Sequence, residues 1–273
     1  MPAPIVVADS ITRVEPDSAG AVIVNASHGG VYAAYLAAKL CAAAAIFNDA
    51  GVGCDRAGIG GLDYLDEFGV AAAAVGHDTA RIGDGADMIA SGVITHANAI
   101  AALLGVSPGQ SCRDAATALQ QACPTHRAPP EALEGAFLLI TDPLSVWALD
   151  SASLVLPEYK DSIVVTGSHG GLLGGKPETA LKYDVLAALY NDAGIGKDAA
   201  GTSRLPALDA RGIAAATVSS ASARIGDARS TYEDGIISRV NSRAASLGLR
   251  EGISAREFVA VLRRALAAQR RKP

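Results

Sequence analysis

The sequence predicts an α/β protein that arose by internal duplication, with two three-layer α/β/α units whose sheets are largely parallel. The first observation is a strand that runs into Ser-His-Gly-Gly, at 27–30 and again at 168–171. The second is that each copy is followed by two further shared motifs, Asn-Asp-Ala-Gly and Ala-Arg-Ile-Gly-Asp. The third is the alternation of strand-like and helix-like segments in each copy. Together they predict two halves related by a pseudo-twofold axis.

The two copies align over a long stretch. Residues 46–105 and 189–248 match without gaps at an offset of 143 positions, with 28 identities in 60 positions. The histidines of the Ser-His-Gly-Gly motifs, His28 and His169, are 141 positions apart. A repeat of this length exceeds the period of solenoid repeats, about 20–50 residues, and indicates a duplicated half. The predicted divisions are a first α/β repeat (1–106), a helical linker (107–135) and a second α/β repeat with a C-terminal helix (136–273).

The composition favours a core of small aliphatic side chains. Half of the 273 residues are hydrophobic, only 4% are aromatic, and the mean hydropathy is +0.26. The net charge of −5 argues against a nucleic-acid partner, because such proteins usually carry a basic face. The only basic cluster is near the end of the chain, at Arg263-Arg264 and Arg270-Arg271-Lys272. We interpret it as the solvated end of a helix.

A cytoplasmic protein without a membrane segment is expected. The N-terminus has no basic region followed by an apolar core, so no signal peptide is predicted. The apolar runs are interrupted well before the length of a membrane-spanning helix. The four cysteines form no CxxC pair and do not recur between the repeats, which indicates reduced structural thiols.

The first repeat is predicted to contain four strands and three helices. The run at 21–26 contains consecutive β-branched residues, which is typical of a strand buried on both faces of a parallel sheet. Gly69 and Gly105 are expected to end two of the helices as C-caps. Strands are predicted at 4–9, 21–26, 44–47 and 70–75, helices at 31–43, 55–68 and 93–104, and a loop at 76–91.

The linker and the second repeat are predicted in the same way. The strand at 136–142 is matched to the first strand of the first repeat, because both end in an acidic residue. A capping box formed by Ser254 and Glu257 opens the last helix. The other strands are predicted at 162–167 and 212–218, and the helices at 112–122, 178–190, 202–210, 235–247 and 254–269.

The Ser-His-Gly-Gly turns are the first candidate site. They lie where a strand leads into a helix, and ligands bind at this edge in open α/β sheets. Ser168, His169 and His28 are candidate catalytic residues, and the N–H groups of Gly170 and Gly171 are candidate oxyanion donors. The structural alternative is a serine that caps the helix and a histidine that packs beneath it, which explains the serine better than the histidine.

The Asn-Asp-Ala-Gly motifs add carboxylates at the same predicted edge. Asp49 or Asp192 could orient a histidine, act as a base or bind a metal ion. The alternative is a helix cap followed by a permissive glycine.

The Ala-Arg-Ile-Gly-Asp motifs add arginines, which are suited to gripping a carboxylate or phosphate. The alternative is an internal Arg–Asp salt bridge that pins the loop. Ser222 lies in the hydroxyl-rich loop of the second copy and is a candidate nucleophile. The candidate substrate-binding residues of these motifs are Arg81, Asp84, Arg224 and Asp227.

Three classes of function stay open. The first is a hydrolase or lyase for a small anionic or amide-containing metabolite, in which His169, Asp192 and a serine act on the substrate and Arg224 holds its anionic group. The second is an isomerase or racemase that places His28 and His169 on opposite walls of one cleft. The third is an anion-binding protein without catalysis. No cofactor is expected, since no HxH or HExxH metal spacing occurs. The expected partners are a small-molecule substrate and other copies of the chain.

Overall fold

Two mixed sheets, mostly parallel and flanked by helices, make up the computed structural model, which describes residues 2–125 and 127–270. In each sheet, every strand pairs with its neighbour in the chain, and the edge strand that follows the parallel run is antiparallel. The predicted duplicated α/β fold is confirmed. The first sheet contains β1 (Ile5–Ala8), β2 (Val22–His28), β3 (Ala44–Asn48), β4 (Ala71–Val75) and β5 (Ile94–Ala97). The second contains β6 (Ala136–Ile140), β7 (Val146–Leu149), β8 (Ile163–His169), β9 (Ala187–Asn191), β10 (Ala214–Val218) and β11 (Ile237–Val240).

Helices cover both faces of each sheet. In the first half, α1 and α2 pack on one face, and α3, α4 and α5 pack on the other. In the second half, α6 packs on one face, and α7, α8 and α9 pack on the other. Because α5 packs on the first sheet, the segment predicted as a linker contributes a helix to the first half. The helices are α1 (Val31–Lys39), α2 (Gly60–Glu67), α3 (Gly85–Ser91), α4 (Ala99–Leu103), α5 (Cys112–Leu119), α6 (Arg204–Asp209), α7 (Ala228–Glu233), α8 (Ser242–Ser246) and α9 (Ala255–Arg270).

The strand sequences explain this layering. In β2, Ile23 faces the core beneath α1 and α2, while Val22 and Val24 face the core of the opposite layer. The strand β4 is almost entirely alanine and fully buried, so helices approach the sheet closely on both sides. Small side chains therefore let each half bury both faces of its sheet.

Two predicted helices are wrong because an asparagine divides each of them. Residues 93–104 form β5 followed by α4, and residues 235–247 form β11 followed by α8. Asn98 and Asn241 are the N-caps of α4 and α8, and each side-chain oxygen accepts a hydrogen bond from the helix. An N-cap residue has extended backbone, so the strand ends there and the helix begins.

Three further elements differ from the predictions. The helix predicted at 178–190 is absent, and this stretch holds a 3-10 turn (Pro177–Thr179) and β9, which completes the sheet between β8 and β10. The loop predicted at 76–91 contains α3. The counterpart of β1 is β7 rather than the strand predicted at 136–142, because β1 and β7 each pair in parallel with the strand that ends in the histidine.

The two halves meet around a pseudo-twofold axis marked by reciprocal contacts. The backbone N–H of Cys54 donates to the carbonyl of Ser220 at 2.7 Å, and the N–H of Lys197 donates to that of His77 at 2.8 Å. Cys54 and Lys197 are 143 positions apart, and so are His77 and Ser220. An apolar centre lies between the halves, formed by Ala50, Ile82, Ala193, Ala200 and Ile225.

The structure also bears on the predictions about membrane segments, cysteine thiols and the basic C-terminal cluster. Among the residues that the structure describes, no helix is long and apolar enough to cross a bilayer. The four cysteines are free thiols. Burial in the core of the first half raises the pKa of Cys112 to about 12. Of the predicted basic C-terminal cluster, Arg271 and Lys272 lie outside the described residues.

Candidate active site

The two Ser-His-Gly-Gly motifs meet in one cleft between the halves, which we call the central cleft. His28 at the end of β2 and His169 at the end of β8 both line it. Each ring packs against a glycine of the opposite half: a Cβ atom added at Gly226 would lie 3.4 Å from Cε1 of His28, and one added at Gly83 would lie 3.6 Å from Cε1 of His169. The Ala-Arg-Ile-Gly-Asp glycine of each half thus lies against the histidine ring of the other half.

The backbone sets the tautomer of both histidines. The N–H of Gly30 donates to Nδ1 of His28, and the N–H of Gly171 donates to Nδ1 of His169, each at 3.1 Å. A ring nitrogen that accepts a hydrogen bond carries no proton, so each neutral imidazole carries its proton on Nε2. Burial lowers the pKa of His28 to about 4. Burial also lowers the pKa of His169 well below its usual value, and the charges of Arg204 and His28 act in the same direction.

Both Nε2–H groups are available to a ligand. Neither forms a hydrogen bond within the part of the chain that the structure describes, and no side-chain nitrogen or oxygen there is both fully buried and without a partner. Each Nε2 therefore reaches accessible space beside the cleft. A neutral imidazole in this state donates a hydrogen bond to a carbonyl or an oxyanion.

The serines of the motifs do not cap helices; they accept hydrogen bonds from the turns beside the cleft. The hydroxyl oxygen of Ser27 accepts from the N–H of Ile11 at 3.0 Å, and that of Ser168 accepts from the N–H of Ala152 at 2.9 Å. These bonds tie each histidine strand to the turn after β1 or β7. Ser10 and Ser151, in those turns, also line the cleft. They were missed in the sequence, although Asp9-Ser10 and Asp150-Ser151 recur at the offset of 141 positions that relates the two histidines.

Glu134 and Asp150 are the two acidic residues that line the central cleft, and the sequence analysis identified neither as a site residue. Glu134 lies just before β6, beside Ser151 and Asp150. Burial raises the pKa of Glu134 to about 7; a hydrogen bond from Ser151 opposes this shift, and the charge of Asp150 adds to it. Glu134 belongs to the segment between the repeats and has no counterpart in the first half, so the duplication could not point to it.

The N–H groups of Gly170 and Gly171 are already engaged. Gly170 donates to the carbonyl of Asn191 at 2.8 Å, and Gly171 donates to Nδ1 of His169. These two N–H groups are therefore not free to stabilise an oxyanion, which is the role that the sequence analysis predicted for them.

The aspartates of the Asn-Asp-Ala-Gly motifs lie away from the central cleft. Oδ1 of Asp49 binds Nδ1 of His77 at 2.9 Å and does not contact His28. Burial opposes ionisation of Asp49, but hydrogen bonds from His77 and Gly51 hold its pKa below the usual value. Oδ1 of Asp192 accepts from the N–H groups of Gly194 and Ser220. Both aspartates thus organise loops at the axis.

The Arg–Asp motifs are joined across the axis. Arg81 binds Asp198 of the other half at 3.0 Å, and Arg224 binds Asp55 reciprocally at 3.1 Å. Each arginine also binds the aspartate of its own motif, Asp84 at 3.1 Å and Asp227 at 3.2 Å. Asp84 and Asp227 further cap α3 and α7 through their side-chain oxygens. These four residues have protein partners that do not require a substrate.

Ser222 is placed in a turn. Its hydroxyl donates to the carbonyl of Ser219 at 2.8 Å and accepts from the N–H of Ile236 at 2.9 Å. It does not line the central cleft. Within the described residues, no group of three or more His, Cys, Asp or Glu side chains is arranged to hold a metal ion.

Comparisons of the chain with protein-family models, curated proteins and solved structures found no match in any of the three. The site is therefore characterised by its own geometry.

Proposed function

We propose that the protein is a cytoplasmic small-molecule enzyme of the hydrolase or lyase class, which acts on a small anionic metabolite in the central cleft. The observation that carries this proposal is the presence of Glu134, with a pKa of about 7, in the same cleft as the two imidazole N–H donors. A carboxyl group with this pKa exchanges protons efficiently near neutral pH, which is what a general acid–base residue must do.

The roles follow from the donors and acceptors in the cleft. In a hydrolase, Glu134 takes a proton from the water that attacks the substrate carbonyl and returns it to the leaving group as the bond between that group and the carbonyl breaks. In a lyase, it takes a proton from a carbon beside a carbonyl and returns it to the group that is expelled from the next carbon as the double bond forms. The carbonyl oxygen of the substrate accepts hydrogen bonds from Nε2–H of His28 and His169, which stabilise the negative charge that develops on it. Because neither ring gains or loses a proton, both histidines serve in every turnover without being reset.

Isomerisation is a second candidate, since His28 and His169 line one cleft, as that hypothesis required. Two histidine bases are poorly supported, however, because Nδ1 of each ring accepts a backbone N–H and the neutral ring has no free lone pair on Nε2. An isomerase in this cleft would use Glu134 as its base.

The test is the variant Glu134→Gln, with Glu131→Gln as the control in the same segment. We expect wild type to convert at least one member of a set of small carboxylic acids and amides, followed by proton NMR. Glu134→Gln should lower kcat about 100-fold or more, the usual contribution of a general acid–base residue. The residual activity should lose the pH limb near 7, because glutamine does not titrate.

The control Glu131→Gln should retain wild-type kcat and the same pH profile. Full activity in Glu134→Gln would disprove the role of Glu134. Saturable binding of these compounds by wild type, without turnover of any, would leave the anion-binding function in place of an enzyme.

A further inference from the structure

A second cleft adjoins the central cleft and is rich in positive charge; we call it the basic cleft. It shares His169, Ser151 and Ser168 with the central cleft, so the two clefts lie side by side. Three cationic side chains line it: Arg13 from the first half, and Lys182 and Arg204 from the second. Glu178 is its acidic residue; it is exposed and forms no ion pair within the described part of the chain.

Arg204 is a buried cation without a carboxylate partner. Its exposed fraction is 5%, and no carboxylate of the described residues lies within 4.0 Å of its guanidinium. Nε donates to the carbonyl of Gly171 at 2.9 Å, Nη1 donates to that of Ala180, and the guanidinium carbon lies 5.1 Å from the ring centroid of Tyr190. These contacts hold the group in place but do not neutralise it.

Burying an unpaired charge is costly, so buried charges in proteins are usually paired or bind a ligand. Burial lowers the pKa of Arg204 below its usual value; the charge of Tyr190 and a hydrogen bond with it oppose this shift, and the charge of Arg13 adds to it. The nearest cations therefore increase the unbalanced charge. An anion in the basic cleft would offset it.

The basic cleft exists because the two halves differ at this point. In the first half, α1 follows the Ser-His-Gly-Gly turn, and Gly61 occupies the position equivalent to Arg204. A Cβ atom at Gly61 would lie 2.6 Å from Cβ of Ala34 in α1, so the first half has no space for a side chain there. In the second half, 3-10 turns replace that helix, and Arg204 occupies the freed space.

Arg13 and Lys182 are free to assist Arg204. Arg13 has only a long ion pair with Asp9, at 4.0 Å. Lys182 is exposed and lies with Nζ 5.2 Å from the ring centroid of Tyr183. Both side chains are long and can turn toward an anion, whereas the hydroxyls of Ser151 and Ser153 on the same wall are hydrogen-bonded to each other at 2.8 Å.

We propose that the basic cleft binds the carboxylate or phosphate group of a small metabolite, with Arg204 as its buried contact and Arg13 and Lys182 at its rim. This deepens the proposed function and rests on it, because the anionic group is one end of the substrate whose reacting atoms lie in the central cleft. It also assigns the anion to Arg204 in place of Arg224.

The test is calorimetric titration of the full-length protein with inorganic phosphate and, separately, with acetate, at low ionic strength. We expect saturable binding of at least one anion, and the tighter one identifies the group. Arg13→Ala and Lys182→Ala should each weaken binding about fivefold, as expected for losing one charge at a partly exposed site. Arg204→Gln should abolish binding, and Arg204→Lys, which keeps the charge without the fork, should restore part of it.

The matched control is Lys160→Ala, which removes an exposed lysine outside both clefts. It should bind like wild type. If Arg204→Gln does not fold, Arg13→Ala and Lys182→Ala still decide the question: wild-type affinity in both would overturn the proposal. So would the absence of anion binding by wild type.

The two proposals fail separately. Glu134→Gln should bind the anion like wild type, because Glu134 lies outside the basic cleft. Normal anion binding without any turnover by wild type would remove the enzyme proposal and keep the anion site. Turnover that depends on Glu134, with unchanged affinity in the cation variants, would remove the anion site alone.

Discussion

At the scale of single residues, the main feature is a glycine N–H that decides what each histidine can do. Gly30 and Gly171 donate to Nδ1, so the free Nε2 of each ring is a donor. The sequence analysis predicted that the N–H groups of Gly170 and Gly171 would face the ligand, but the N–H of Gly171 faces the histidine ring. Nδ1 of each histidine accepts the glycine N–H, and the Nε2–H of the ring is the group that can donate to a ligand.

The depressed histidine pKa values predict a loss of stability in acid. The unfolded chain takes up protons near pH 6.5, whereas folded His28 does so only near 4. Their contribution to stability is therefore present above about pH 6.5 and lost as the pH falls toward 4. We expect the melting temperature of wild type to fall more steeply over this window than that of His28→Asn/His169→Asn.

The control for this comparison is His96→Asn, which lies outside the central cleft. It should keep the wild-type slope. Slopes are compared because the substitutions also change packing. Equal slopes for wild type and the double variant would contradict the buried, neutral state of the two rings.

At the scale of elements, two asparagines join a strand, a helix and the sheet beside them. The side-chain oxygen of Asn98 accepts from the N–H groups of Ala101 and Ala72, at 2.9 and 3.0 Å, and its nitrogen donates to the carbonyl of Val70 at 2.8 Å. Asn241 repeats these bonds in the second half. The side chain thus ends β5, starts α4 and ties both to β4.

Removing this side chain should destabilise the fold strongly. Asn98→Ala leaves several buried backbone groups without partners, at about 1–3 kcal/mol for each group that stays unpaired. We expect a loss of about 2–4 kcal/mol in the free energy of unfolding, measured by urea denaturation. Leu103→Ala on the same helix is the control: Leu103 is 87% exposed, so it should change stability by less than about 0.5 kcal/mol. A small effect of Asn98→Ala would show that water replaces the lost bonds.

Features that occur in both halves could be predicted from the sequence, and they account for much of the fold. Site residues that occur in only one half could not be predicted in this way. The buried strands and the duplicated layers follow from β-branched and alanine-rich runs that occur twice. The short strands β5 and β11 were missed because each leads directly into a helix without an intervening glycine or proline, and only the asparagine marks the division. His28 and His169 stand out because they recur, whereas Glu134 and Arg204 have no counterpart in the first half. Contacts between segments distant in the chain place Glu134 and Arg204 in the clefts, and no local sequence pattern predicts those contacts.

At the scale of the whole molecule, the halves are joined by an apolar centre, by backbone hydrogen bonds and by ion pairs that differ in burial. Asp198 is 63% exposed in its ion pair with Arg81, whereas Asp87 is only 7% exposed in its ion pair with Lys197, at 2.8 Å. Ile82 of the apolar centre is 3% exposed. Solvent-exposed ion pairs contribute about 0–1 kcal/mol, and truncating a buried isoleucine costs about 2–5 kcal/mol. The apolar centre should therefore contribute more to the docking of the halves than the exposed Arg81–Asp198 pair.

The comparison of Ile82→Ala with Asp198→Asn tests this ranking. Asn tolerates the left-handed backbone that Asp198 adopts, at φ 54°, so only the charge changes. We expect Ile82→Ala to lower the free energy of unfolding by about 2–4 kcal/mol and Asp198→Asn by less than about 1 kcal/mol. The opposite order would mean that the ion pairs hold the axis.

The pairing of every strand with its chain neighbour has a consequence for the order of assembly during synthesis. Each sheet closes short loops, whose entropic cost is small, so the first half can form while the second is still being made. The central cleft is different, because its walls come from residues as distant as His28 and Gly226. When only the first half has been synthesised, its sheet and one of the two histidines are in place, but the central cleft is absent. The cleft forms when the second half docks onto the first.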